Sequence, residues 1–343
     1  MRLIADIFVF FAILLLPSPV AYASTHEEAL RQLIEKANEG DPKSLHDLAY
    51  LYENGLAGIE KNRQEAIRLY TLSAEAGYAP AQNYLGFCYY KGEGVPRDAA
   101  KSLFWIQKAT EQGDIKSYNN LGWLLLEGDG VVHDASKAAY WFSRAADEGL
   151  PTAQCQLADL FKTGVGVKQD SIVADSLYHK AMYAGLADAE QKLLAMNYNR
   201  YLLMNADDAL NLAKKYYYDT HFLLAVTLFE IAEQKGSVRA KTFLGECYAH
   251  AYGVSYDFNK ALAFYYDAAI AGDAPAQFII AETIEMIPDV IEILFPESLS
   301  DDTNPFAIAQ EWYEKAAKQG VIDAATATKM MKATNSDSKS NNK

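Results

Sequence analysis

The residues able to do chemistry are few in this 343-residue chain, and their spacing argues against a reaction centre. The six histidines, His26, His46, His133, His179, His221 and His250, include no pair at metal-ligand spacing and no His-Glu-x-x-His helix. His26 precedes Glu27 but has no second histidine near it in sequence. Among the three cysteines, Cys88 and Cys247 each follow by three residues a leucine that recurs along the chain, and Cys155 precedes such a leucine by two. Those places suit core side chains, so the thiols read as small hydrophobes, reduced and unpaired in the folded protein. No Gly-x-Ser-x-Gly elbow is present. The Gly-x-Gly runs at Gly92, Gly128 and Gly164 lack both the third glycine of a dinucleotide fingerprint and the Gly-Lys-Ser/Thr of a phosphate loop. We therefore expect no catalytic, cofactor-binding or metal-binding residues and no cofactor.

Those glycine runs recur, and their recurrence reveals the elements behind them. A closing glycine stands at Gly40, Gly77, Gly113, Gly149, Gly185, Gly236, Gly272 and Gly320, in steps of 37, 36, 36, 36, 51, 36 and 48 residues. Three units read LGFCYYKGEGVPRDAAKSLFWIQKATEQG from Leu85, LGWLLLEGDGVVHDASKAAYWFSRAADEG from Leu121 and LADLFKTGVGVKQDSIVADSLYHKAMYAG from Leu157. A fourth runs from Leu244 to Gly272. Apolar residues recur three and four apart within each unit, which is helical periodicity. Asp98, Asp134, Asp170 and Asp257 follow the glycine loop, where each is placed to cap a second helix. That helix carries a bulky pair (Trp105-Ile106, Trp141-Phe142, Leu177-Tyr178, Phe264-Tyr265) and then alanines, so large rings face small residues across helix contacts. Two helices per period of about 36 residues predict an all-α protein, an α-solenoid.

The wording of these units resembles the Sel1-like repeat family, relatives of tetratricopeptide repeats. Residues 78–185 and 237–272 match its pattern closely, with looser matches at 41–77 and 306–320. The resemblance implies helix–loop–helix repeats stacked into a right-handed superhelix, usually serving as a scaffold or regulator that binds proteins. The regular repeats are expected at about 41–185 and 237–272, with irregular stretches at 186–236 and 273–320. The first irregular stretch reads as an extra or lengthened helical pair, with Tyr216, Tyr217 and Tyr218 near a turn. The second carries MIPDVIEILFPESLSDDTNP, whose three prolines predict a loop with one short helix. VIDAATATKMMKA should close the array as a capping helix, and the polar tail 334–343 is expected to be disordered.

Arg2, the apolar run FVFFAILLL and Ala21-Tyr22-Ala23 predict a signal peptide over residues 1–23, cleaved after Ala23. Export to a periplasm or beyond, with the solenoid occupying 24–333 and no membrane span after cleavage, is the expectation. The formal charge of −14 argues against nucleic acid and suits a basic or cationic-patched protein partner.

The expected function is a non-enzymatic interaction scaffold or adaptor that holds a protein in its concave groove. A periplasmic immunity protein neutralising a secreted toxin such as a lipase is the alternative. A hydrolase of cell-wall or β-lactam substrates, suggested by cysteine-rich relatives, is disfavoured because the cysteine pairs and a nucleophile–base motif are missing. With each first-helix leucine as position zero, positions zero, one, three and four face the core, and plus two points away. Plus two is Tyr50, Phe87 and Trp123; plus five is Glu53, Tyr90 and Leu126, of which Tyr90 and Leu126 join the candidates; minus two adds His46, Asn83 and Asn119. Aromatic rings beside amides make this the candidate protein-binding strip.

Overall fold

A computed structural model describes residues 19–128, 132–295 and 304–340. The expected signal peptide falls mostly outside them. Every regular element among the described residues is a helix, and none of these helices is long and apolar enough to cross a membrane. The chain divides into two compact units, residues 1–189 and 190–343.

In the first unit α1 (Pro19–Asn38) packs on α2 (Pro42–Asn54), which pairs with α3 (Arg63–Glu75). Three more pairs follow: α4 (Ala79–Lys91) with α5 (Ala99–Glu111), α6 (Ile115–Glu127) with α7 (Ala135–Asp147), and α8 (Pro151–Thr163) with α9 (Ser171–Tyr183). Each second helix also packs on the next first helix, so the pairs stack in chain order as an α-solenoid.

One device closes four of the pairs, and Asn62 takes the same part between α2 and α3. The carboxylates of Asp98, Asp134, Asp170 and Asp257 accept from the backbone N–H three residues on, at 3.0, 2.9, 3.1 and 2.9 Å. Their own backbone N–H groups donate to the carbonyls of Tyr89, Leu125, Phe161 and Tyr248 in the preceding first helix, at 2.8–3.0 Å. A single aspartate thus caps the second helix and ties it to the first. The loop glycines serve the same end. Gly166 has φ +71°, and a Cβ there would lie 2.2 Å from the Ala135 carbonyl oxygen, so the loop rests directly on the second helix of the previous pair.

The second unit begins within α10 (Ala187–Leu202). An additional pair, α11 (Ala206–Tyr218) and α12 (Phe222–Gln234), turns through three residues, as expected for the lengthened step. It is built on aromatic contacts: the Tyr217 ring lies 5.4–6.0 Å from those of Phe222, Phe229, Phe243 and Tyr252. A regular pair, α13 (Val238–His250) and α14 (Phe258–Ile270), comes next. Then α15 (Ala274–Met286) packs on α17 (Pro305–Lys318), and the five-residue α16 (Val290–Leu294) sits in the proline-containing insertion. Finally α18 (Ile322–Ser340) packs on α17. It runs seven residues into the tail expected to be disordered; once the docked turns have formed, adding further turns costs little. Residues 341–343 lie outside the described residues.

All three cysteines are buried and none forms a disulfide. Burial pushes the Cys88 thiol up to about 11 and that of Cys247 up to about 12, so both stay protonated at neutral pH. The bulky pairs divide differently from the sequence expectation. Ile106, Phe142, Tyr178 and Tyr265 are buried, whereas Trp105 and Trp141 are half-buried, Trp141 stacking on Tyr118 at 5.4 Å. Neighbours on a helix differ by about 100°, so only one of two adjacent residues can point straight at the core.

Glutamines link successive pairs. Gln82 Nε2 donates to the Ala74 carbonyl at 3.1 Å, and its Oε1 accepts from Gln112 at 2.8 Å. Gln277 repeats this with Ala269 and Gln319, at 3.1 and 2.9 Å. Gln154 donates to Ala146 at 3.3 Å, but its buried Oε1 has no partner among the described residues, because the place of Gln112 is taken by Ala184. Ala184→Gln is expected to supply the donor and raise stability by about 1 kcal/mol. Urea denaturation showing no gain would refute that account of Gln154.

Candidate protein-binding surface

The first helices of the first unit present a continuous face with two hollows in it. His46, Tyr50, Glu53 and Asn54 of α2 line a hollow of about 470 Å³ together with Asn83 and Tyr84 of α4. Asp114 and Lys116, at the start of α6, reach its edge. Phe87, Tyr90 and Lys91 of α4 line the second, of about 360 Å³, with Asn119, Asn120, Trp123 and Glu127 of α6. Ile106, Thr152 and Gln156 complete it. Each hollow spans three consecutive first helices. The ridge between them carries a hydrogen bond from Asn120 Nδ2 to Asn83 Oδ1 at 2.8 Å.

The eight candidate residues do not share one environment. Tyr50 is 52% exposed. Phe87 and Trp123 are half-buried, the Trp123 ring standing edge-on to Phe142 at 5.8 Å, so these two rings both pack and line a surface. His46 is half-buried, its ring edge-on to Tyr70 and Tyr78 at 5.4 and 5.3 Å and its Nδ1 3.0 Å from Asp47. Asn83 is buried as the wall of the first hollow, and Asn119 is half-buried with an Oδ1 that has no protein partner.

The plus-five residues divide: Glu53 lines the first hollow and Tyr90 the second, whereas Leu126 departs from the expectation. Tyr90 is only 8% exposed, and its hydroxyl donates to Glu127 rather than standing free on the face. Leu126 lines neither hollow and packs against the core around Tyr118 and Phe142. The helical wheel gives the reason. Plus two lies about 200° from the core leucine and plus five about 140°, but minus one and plus six lie at about 260° and 240°. The hollows use that second flank: Tyr84 and Asn120 at minus one, Asn54, Lys91 and Glu127 at plus six. Single-helix periodicity could not show which flank the next repeat covers.

The electrostatics of the first hollow are acidic and aromatic. The Tyr84 hydroxyl donates to Glu53, and burial together with that bond raises its phenol well above the usual range. Burial also raises the Asp114 carboxyl, outweighing the hydrogen bond it accepts from Ser117 N–H. The aromatic column ends here: in the fourth pair plus two is Asp159, which accepts from Tyr178 at 2.5 Å. Among the described residues no cluster of three or more His, Cys, Asp or Glu is placed to hold a metal ion.

Several known proteins are similar to this chain. Chitin synthase regulatory factor 3 of Schizosaccharomyces pombe is 36% identical over 72 residues, which is 20% of this chain and 8% of that protein. A protective antigen of uropathogenic Escherichia coli displaying an SLR fold is 27% identical, with TM-score 0.45, covering 87% of this chain and 58% of that one. A Sel1 repeat protein from Oxalobacter formigenes is 26% identical, with TM-score 0.40, covering 87% and 96%. The Sel1 repeat pattern itself matches residues 42–78, 79–114, 115–150, 151–186, 238–273 and 305–321. With more than half of its residues inside these repeats, the chain belongs to the Sel1 repeat family.

Proposed function

We propose that this protein is an exported, non-enzymatic scaffold whose first-helix face holds a protein partner. Sel1 repeats act as protein–protein interaction scaffolds, which supports the general reading. The pair of aromatic hollows supports this face as the docking surface: rigid rings set beside amides on stacked helices lose little conformational entropy when a partner docks. Export rests on the basic start, the apolar run and the Ala21-Tyr22-Ala23 site. The test is affinity capture from the native envelope with the parent chain and a Tyr50→Ala, Phe87→Ala double variant. Loss of capture, with helicity and melting close to the parent's, is the expected result. Equal capture by the double variant would overturn the assignment of the face.

A second reading, immunity against a secreted toxin such as a lipase, draws on the same face and on the formal charge of −14 of the whole chain, which favours encounter with a basic enzyme. Its test is co-purification with the product of an adjacent gene, and inhibition of that product's activity.

A further inference from the structure

The two hollows differ in chemistry and follow each other along the helix stack. The first joins the rings of Tyr50, Tyr70 and Tyr84 to the carboxylates of Glu53 and Asp114. Lys116 also lines it, and Arg63 Nη2 stands 3.9 Å from Glu53 Oε1, so an entering cation would share Glu53 with Arg63. Asp114 is taken up as the cap of α6, and no ion pair to it is formed among the described residues, so an incoming cation would offset its desolvation. Aromatic faces beside carboxylates favour a guanidinium or ammonium group. The second hollow has walls of Phe87, Tyr90, Trp123 and Ile106, and its charges, Lys91 and Glu127, balance. That chemistry favours a large aromatic side chain.

Spacing then constrains the backbone between the two side chains. Helices α4 and α6 touch directly, and packed helices lie about 8–10 Å apart. A polyproline II segment repeats its face every three residues, over about 9 Å. A β-strand does not, because residues three apart point to opposite faces. A polyproline II backbone also leaves its amide and carbonyl groups unpaired, and the ridge between the hollows is built of the amides Asn83 and Asn120, with Asn119 beside it.

We propose that the face binds an extended polypeptide segment in polyproline II conformation with an Arg or Lys and, three residues away, a large aromatic side chain, the cation entering the hollow of Tyr50 and Glu53 and the ring that of Phe87 and Trp123. This inference rests on the reading of the face as a protein-binding surface. It is tested by fluorescence anisotropy with the full chain and labelled Pro-rich nonapeptides carrying Arg and Trp in both orders. Three controls set the residues two apart, replace Arg by Glu, or replace Trp by Ala.

The three-apart peptide, in one order, is expected to bind about tenfold tighter than each control. Glu53→Gln, which keeps an acceptor for Tyr84, should weaken the Arg peptide about fivefold and leave a norleucine analogue unchanged. Equal affinity for the two-apart or Glu peptide overturns the proposal, as does the absence of binding by any peptide up to about 1 mM. A partner captured from the envelope that Tyr50→Ala, Phe87→Ala loses, but that the three-apart peptide fails to displace, refutes this inference while leaving the protein-binding face intact. A partner that the double variant retains removes both.

Discussion

Phe142→Ala is expected to lower the stability of the protein by about 3–5 kcal/mol, the range for a fully buried aromatic truncated in a core that cannot collapse. Phe142 is 0% exposed and lies in a cluster with Tyr118, Ala138, Ala145, Leu157 and Leu160. Its ring sits against Gly122, where a Cβ would come within 2.8 Å, so the residue directly facing it has no side chain of its own to fill the void. Trp123 stands edge-on at 5.8 Å and loses its partner. Because a solenoid pair leans only on its neighbours, the loss should also broaden the unfolding transition. Chemical denaturation followed by circular dichroism measures both effects. Trp141→Ala, one residue earlier, removes a half-buried ring stacked on Tyr118 and should cost clearly less. An equal or larger effect at Trp141 would mean that the wrong member of the pair has been assigned to the core.

The second large effect is expected at Gly122→Ala. Alanine ordinarily improves a helix interior by about 0.5–1 kcal/mol over glycine, so a gain is the naive expectation. Here the new methyl group would meet Phe142 Cε1 at 2.8 Å and Cδ1 at 2.9 Å, and overpacking of this kind costs about 1–3 kcal/mol. The same place is Gly86 against Ile106 and Gly245 against Tyr265, with built contacts of 2.6 Å in each. Two other repeats carry alanine there, Ala49 and Ala158, both wholly buried, so a repeat can hold the methyl group when the opposing helix is seated for it. The penalty at Gly122 is therefore one of fit to Phe142. Combining Gly122→Ala with Phe142→Leu should destabilise by clearly less than the sum of the two single changes. Additive or greater losses would place the strain elsewhere.

These two positions show where sequence reasoning reached and where it stopped. The recurring glycines, the capping aspartates and the apolar spacing of three and four are local signals, each acting within one or two turns of its own helix. They were enough for the all-α architecture, the four pairs of residues 41–185, the extra pair before Gly236 and the short helix in the proline-containing insertion. The preference for Phe142 over Trp141, the burial of Tyr90, the withdrawal of Leu126 and the entry of Tyr84, Asn120 and Glu127 into the hollows are different in kind. Each depends on how far one helix pair is rotated against the next. That rotation is set by side-chain volumes meeting across the stack, with Gly122 under Phe142 and Gln82 bonded to Gln112. The sequence by itself therefore determined the repeat, its helices and their caps, because those interactions close within a single unit. Only the tertiary structure decided which flank of each first helix stays open, because that flank is whatever the neighbouring repeat leaves uncovered.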